Sequence, residues 1–203
     1  YSFGISIIFF TIAIPVSLTG SWIAVTWAAE AVILIWFGFF LNQRTTRSFG
    51  LGIFILAILY MFYSEAQVNL EEFRLLTNDR FLVFGFLISC LYVGSYLYWR
   101  GKSTLRSWEN RYIGVHIGII FVANLLTLGA LSLEIVSYFE GRLLTQDILW
   151  QDAENSIMLS LTVLWAIYAF GLIFTGIKKD LYHCRWTGLL LLLVTVSKLL
   201  MID

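Results

Sequence analysis

A chain of 203 residues that is 60% hydrophobic and only 13% charged, with a mean hydropathy of +0.84, carries more apolar surface than one water-soluble core can bury. Lipid is then the second solvent. The formal net charge of zero argues against a nucleic-acid partner. A single Pro fits long unbroken helices, and Cys90 and Cys184, one in an apolar run and one in a bend, do not read as a disulfide.

Seven apolar runs follow one another, at 3–16, 22–41, 49–64, 80–99, 111–139, 155–177 and 186–202. They are continuous rather than alternating, so they predict helices and not a β-barrel. A bilayer core takes about 20 helical residues, with a range of about 17–25. The second, fourth and sixth runs match that length. The first, third and seventh are short, and the fifth is long enough to tilt or protrude. The fold class predicted is all-α: a polytopic membrane protein of about seven transmembrane helices, a leading helix 3–16 and three parallel hairpins, 22–64, 80–139 and 155–202, in one domain. The first residue is Tyr and no signal-peptide pattern precedes it, so the chain is expected to be part of a longer one.

The connections alternate in charge. Bends two, four and six hold Arg44, Arg47, Arg100, Lys102, Arg106, Arg111, Lys178, Lys179 and Arg185, whereas bends three and five hold Arg74, Arg80 and Arg142. Short loops rich in Lys and Arg stay cytoplasmic. The start of the chain is therefore expected inside and Asp203 outside.

One phrase recurs at helix starts: Arg47-Ser-Phe-Gly50, Arg111-Tyr-Ile-Gly114 and Arg185-Trp-Thr-Gly188, with Tyr1-Ser-Phe-Gly4 as a variant. Shifting the chain by 138 residues superposes the hairpin 22–64 on 160–202, within the last hairpin, without a gap. Trp27 then meets Trp165, Ala31 meets Ala169, Gly38 meets Gly176, Arg47 meets Arg185 and Gly50 meets Gly188. The physical reading is an Arg that keeps its head in water and a Gly that lets a neighbouring backbone approach. Ala24-x-x-x-Ala28, Gly85-x-x-x-Ser89 and Gly114-x-x-x-Gly118 are further close-packing signatures. Tyr92, Tyr96, Tyr98 and Trp99 read as an interfacial belt.

The stretch Trp27-Ala-Ala-Glu-Ala-Val-Ile-Leu-Ile-Trp-Phe-Gly38 with Arg47-Ser-Phe-Gly50, and the ending Leu164-Trp-Ala-Ile-Tyr-Ala-Phe-Gly171, Arg185, Gly188 and Val196-Ser-Lys-Leu-Leu-Met-Ile-Asp203, resemble a bacterial domain-of-unknown-function family, number two-three-three-nine, labelled "predicted membrane protein". The resemblance implies a longer bacterial inner-membrane protein with many helices. It supplies no activity and no catalytic residues.

Polar residues inside the apolar runs are the functional candidates. Glu30 lies nine residues into the second helix, about 13 Å along it at 1.5 Å per residue. Its counterpart after the shift is Tyr168, so the repeat does not require the acid. His116, Asn124, Thr127, Glu134 and Tyr138 fall on one stripe of the fifth helix and are expected to face protein or a water-filled cavity. Lys198, near the chain end, either reaches outward to water or pairs inward with Glu30 or Glu134. An outward-facing polar pocket of Glu30, His116, Asn124, Thr127, Glu134 and Lys198 is the candidate ligand site. No metal spacing, cofactor motif, phosphate loop or nucleophile elbow occurs, and no catalytic residue is assigned. Three classes of function follow: a transporter-like or lipid- or small-molecule-binding protein using that pocket, a structural or partner-binding scaffold, and an envelope-lipid-modifying enzyme, whose only loose candidates are Asp147, Asp152 and Glu154. An enzyme is the least favoured. The expected partners are membrane lipid, other membrane proteins or the rest of a longer chain.

Overall fold

The computed structural model describes residues 9, 11–14, 16, 20, 22–64, 74–101, 114–145 and 149–202. Every regular element among them is helical: α1 (Trp22–Phe40), α2 (Arg44–Ser64), α3 (Asp79–Arg100), α4 (Val115–Leu144), α5 (Trp150–Lys178) and α6 (Tyr182–Ile202). All six are long and apolar enough to cross a membrane. Of the leading run 3–16, positions 9, 11–14 and 16 are described, and all are helical. The phrase Tyr1–Gly4, Arg111, Lys102, Arg106, Asp147 and Asp203 lie outside the described residues.

Several helices run past the apolar segments that announced them. α2 begins at Arg44 rather than 49, α4 continues to Leu144, α5 starts at Trp150 and α6 at Tyr182. An apolar run marks the part of a helix inside hydrocarbon. Arg, Gln and Glu are good helix formers and carry the same helix on into water. α4 and α5, of 30 and 29 residues, would span about 45 Å, well over a core of about 30 Å.

Residues 1–68 and 76–127 form one compact unit, and 69–75 with 128–203 form another. In the first, α1 packs along both α2 and α3. Its centre is Ala24, Ala28, Ala31, Ile35, Ala57, Met61 and Leu87, all without exposed surface. The small residues let the α1 backbone approach its neighbours. α3 is started by Asn78, whose Oδ1 accepts from the Phe81 N–H at 2.8 Å, and Asp79 complements the helix dipole. In the second unit, α5 and α6 pack as a hairpin, and few side chains besides Ala153, Ala169 and Thr195 are buried on it.

The two hairpins turn identically. Asn42 and Asp180 each take a left-handed conformation, both with φ 51°. Gln43 N–H donates to Gly38 O at 2.9 Å and Asn42 N–H to Phe39 O at 3.2 Å; Leu181 N–H donates to Gly176 O at 2.9 Å and Asp180 N–H to Ile177 O at 3.3 Å. Both are Schellman closures, which satisfy the last carbonyls of the first helix. Beyond the turn, a Cβ on Gly50 would lie 2.9 Å from Ala31 O, and one on Gly188 would lie 3.0 Å from Ala169 O. In these two copies of Arg-x-x-Gly the Gly is thus required by backbone contact across the hairpin, whereas a Cβ on Gly114 would meet only the His116 ring.

Candidate functional site

Glu30 is 6% exposed on α1. Its Oε1 accepts from Thr11 Oγ1 at 2.8 Å, and Oε2 has no hydrogen-bond partner among the described residues. Thr11 is fixed from behind, because its backbone O accepts from Trp27 Nε1 at 3.1 Å. The Trp27 ring meets Tyr60 edge-on at 5.6 Å, and the Tyr60 hydroxyl donates to Gly20 O at 3.4 Å. The leading segment is therefore tied to α1 through both Glu30 and Trp27, and α2 reaches the same Trp27 through Tyr60.

The α4 stripe divides between the two units. In the first, His116 offers its backbone O to Ser95 Oγ at 2.9 Å, which ties the start of α4 to α3. Asn124 Nδ2 donates to Ile120 O at 2.8 Å and Thr127 Oγ1 to Ala123 O at 2.7 Å, both on their own helix. Those bonds consume donor capacity that a pocket would use. In the second unit Glu134 is 2% exposed and Ser137 5%. Glu30, His116, Asn124 and Thr127 thus belong to one unit, Glu134 and Lys198 to the other. A cleft of about 280 Å³ lies between α1 and α3, lined by Trp22, Val25, Asp79, Leu82, Val83 and Phe86, and none of the six candidate residues is among them.

Lys198 turns inward. Its Nζ is buried, lies 5.3 Å from the centre of the Trp165 ring and has no hydrogen-bond partner among the described residues. Trp165 Nε1 donates to Ser132 Oγ at 3.0 Å, and Ser132 in turn donates to Leu128 O at 2.8 Å.

The helix-start arginines divide as well. Arg185 behaves as expected, half-exposed and paired with Asp180 at 2.9 Å. Arg47 does not keep its head in water: it is 2% exposed, Nη1 donates to Gly38 O at 3.2 Å, and the guanidinium sits 4.9 Å from the Phe39 ring centre. The cause is cover, since Phe39 packs edge-on against Tyr98 of α3. Tyr98 accordingly leaves the interfacial belt and is 1% exposed, whereas Tyr92, Tyr96 and Trp99 stay on the surface. Of the small-residue signatures, Ala24 and Ala28 are packed, but Gly85 and Gly118 have open space where a side chain would stand. Arg80, 7% exposed, is a buried charge that sequence reasoning left in a loop. Its place in the first turn of α3, beside the Asn78 cap, was the available signal.

Residues 74–203 match the family described as "Predicted membrane protein (DUF2339)". The chain belongs to the DUF2339 family. No curated protein and no solved structure matches it. The DUF2339 match takes in α3 to α6 and so includes the second hairpin, but not the first, which makes the same turn. The family description fixes a membrane protein and assigns no chemistry to any residue.

Proposed function

We propose that this DUF2339 protein is a partner-binding membrane scaffold, made of repeated helical hairpins that receive further transmembrane helices. The observation that carries the reading is unequal cover on two hairpins of the same build. Of the membrane window of α1, 44% is buried, against 6% for α5. In the first hairpin α3 lies along α1, with Val25 and Phe39 half-buried and Phe54 and Met61 3% and 0% exposed. After the 138-residue shift the same positions are Val163, Ile177, Leu192 and Leu199, exposed by 50%, 64%, 40% and 48%. A face that one hairpin uses to hold a helix is bare on the other. Its occupant is a transmembrane helix of α3's chemistry: apolar, parallel to α5, with a small residue where Gly94 of α3 meets Phe54.

The proposal includes duplication of the hairpin, location in a bacterial inner membrane, and the bends carrying Arg44, Arg47, Lys178, Lys179 and Arg185 on the cytoplasmic side. The charge asymmetry of the loops supports that orientation. Cysteine labelling of residues 44 and 147 from opposite faces of intact cells tests it; labelling from one face refutes it.

The scaffold itself is tested with a photo-crosslinking side chain at Ile177 or Leu192 in native membranes. One discrete protein adduct is expected at both, and lipid adducts alone at Phe174, whose counterpart Trp36 is also exposed. Lipid adducts at all three positions refute it.

A second reading, handling of a small polar or cationic ligand, is favoured by the unmatched Oε2 of Glu30. It requires Glu30→Gln to change ligand-dependent behaviour in a folded protein. The scaffold reading requires the change to be nearly silent in thermal unfolding and in partner capture, because an amide oxygen still accepts from Thr11.

A further inference from the structure

We propose that the cleft between the starts of α1 and α3 binds one membrane phospholipid with a primary ammonium headgroup, an acyl chain against its apolar walls and the ammonium on Asp79. The two helices run in parallel and are held together at their far ends, where Phe39 packs edge-on against Tyr98 at 5.1 Å. At their starts they leave about 280 Å³ between them, close to the range of about 300–1,000 Å³ usual for ligand pockets. Asp79, Leu82, Val83 and Phe86 follow one another at the spacing of a single helix face, and Trp22 and Val25 supply the opposite wall. Trp22, Leu82 and Phe86 are exposed as well as lining, so the cleft is open to its surroundings.

Five of the six lining side chains are apolar, and the one charge stands at the end of the cleft that meets water. That polarity is the polarity of a membrane amphiphile. A helix about 10 Å wide fills roughly 800 Å³ over the roughly 10 Å from Asp79 to Phe86, far more than the cleft offers, whereas a single acyl chain can enter. The headgroup is chosen by charge. The Asp79 carboxylate is exposed and has no hydrogen bond or ion pair among the described residues. The bend 65–80 holds Glu65, Glu71, Glu72 and Asp79 against Arg74 and Arg80, which draws a cation to this end and repels an anion. A carboxylate only accepts hydrogen bonds, and a primary ammonium brings three donors where a quaternary one brings none. The Trp22 indole adds a ring face for the same cation. The cleft lies wholly within the first unit, so the site depends neither on the scaffold reading nor on the bare α5 face.

The test uses the full chain in micelles. Phosphatidylethanolamine, phosphatidylcholine or phosphatidylglycerol with the same acyl chains is added, and retained lipid is counted by native mass spectrometry. The wild type is expected to retain phosphatidylethanolamine in preference to the other two. Asp79→Asn, at an exposed position, is expected to retain about tenfold less of it, the order of one charge-assisted contact, with phosphatidylcholine unchanged. Asp79→Glu is expected to keep the preference. Val25→Phe fills the cleft and is expected to lower phosphatidylethanolamine and phosphatidylcholine alike. A wild type without the preference overturns the proposal whether or not the variants fold. So does a preference undiminished in Asp79→Asn, or retention undiminished in Val25→Phe. A dimer that forms at the expense of bound lipid and is lost in Val25→Phe gives the cleft to a second copy and overturns it as well.

Discussion

The hairpins α1–α2 and α5–α6 share a turn, a seam and almost nothing else. Ala31 and Ala169, Gly38 and Gly176, Gly50 and Gly188, and Ala57 and Thr195 are buried in both. Off that seam, positions on the face that α3 covers diverge: Ala28 is fully buried and Ala166 exposed, Met61 fully buried and Leu199 exposed. The comparison separates two sources of burial that a single hairpin would confound. What a hairpin buries against itself is set by its own small residues. What it buries beyond that depends on the helix laid over it. The same logic explains the arginines, since the Arg at the turn is buried where a ring from the covered side lies over it and exposed where none does.

The largest effect is expected at the seam, where the hairpins are alike. Gly50→Ala sets a Cβ against Ala31 O and Ile35 N, and Gly188→Ala sets one against Ala169 O and Ile173 N. Backbone cannot rotate away as a side chain can, so each change is expected to cost about 3 kcal/mol, the upper end for overpacking. Unfolding in detergent titrations checks it. Near-equal losses sharpen the likeness; a loss at one site alone breaks it.

Next come the arginines, where the hairpins differ. Arg47→Ala removes a buried charge-assisted bond to Gly38 O and the contact with Phe39, and is expected to cost about 1.5–3 kcal/mol. Arg185→Ala removes an exposed pair and is expected to cost about 0–1 kcal/mol, less at high salt. The measurement is the same unfolding titration with and without added salt. Equal losses would mean that cover by α3 does not alter the role of the arginine.

Much of this was legible beforehand, for identifiable reasons. Hydrocarbon demands long apolar helices, so the spans could be read, and the Arg-x-x-Gly phrase with its gapless shift marked the two turns later seen at Asn42 and Asp180. Helix ends were not legible, because residues such as Arg44, Gln151 or Glu154 can continue a helix without any apolar signal. The burial of Arg47 and Tyr98 was not legible either, since it depends on which helix lies across α1. The stripe on α4 gave direction but not partner. Periodicity puts Asn124 and Thr127 on one face, yet nothing in spacing reveals that each bonds its own preceding turn.

A smaller effect is expected from the indoles. Trp27→Phe and Trp165→Phe each remove one N–H donor, to Thr11 O and to Ser132 Oγ respectively. Each is expected to cost about 1 kcal/mol for the hydrogen bond, with a further loss for the reduced ring area. If the preceding helical segment plays the same part in both units, the two losses will match in unfolding titrations. A silent Trp27→Phe would detach the leading segment from the first hairpin and leave Thr11 without its anchor for Glu30.

The smallest expected effect is the most pointed. Asp180→Asn places in the second turn the residue that the first carries at Asn42, both in the left-handed conformation that Asn tolerates well. The turn keeps its carbonyl closures, while the pair with Arg185 loses its charge. The expected cost is about 0.5 kcal/mol at low salt and close to nothing at high salt. A larger, salt-independent loss would mean that the second turn needs the carboxylate itself. The two closures would then be alike in shape but not in what holds them, and the likeness of the hairpins would stop at the backbone.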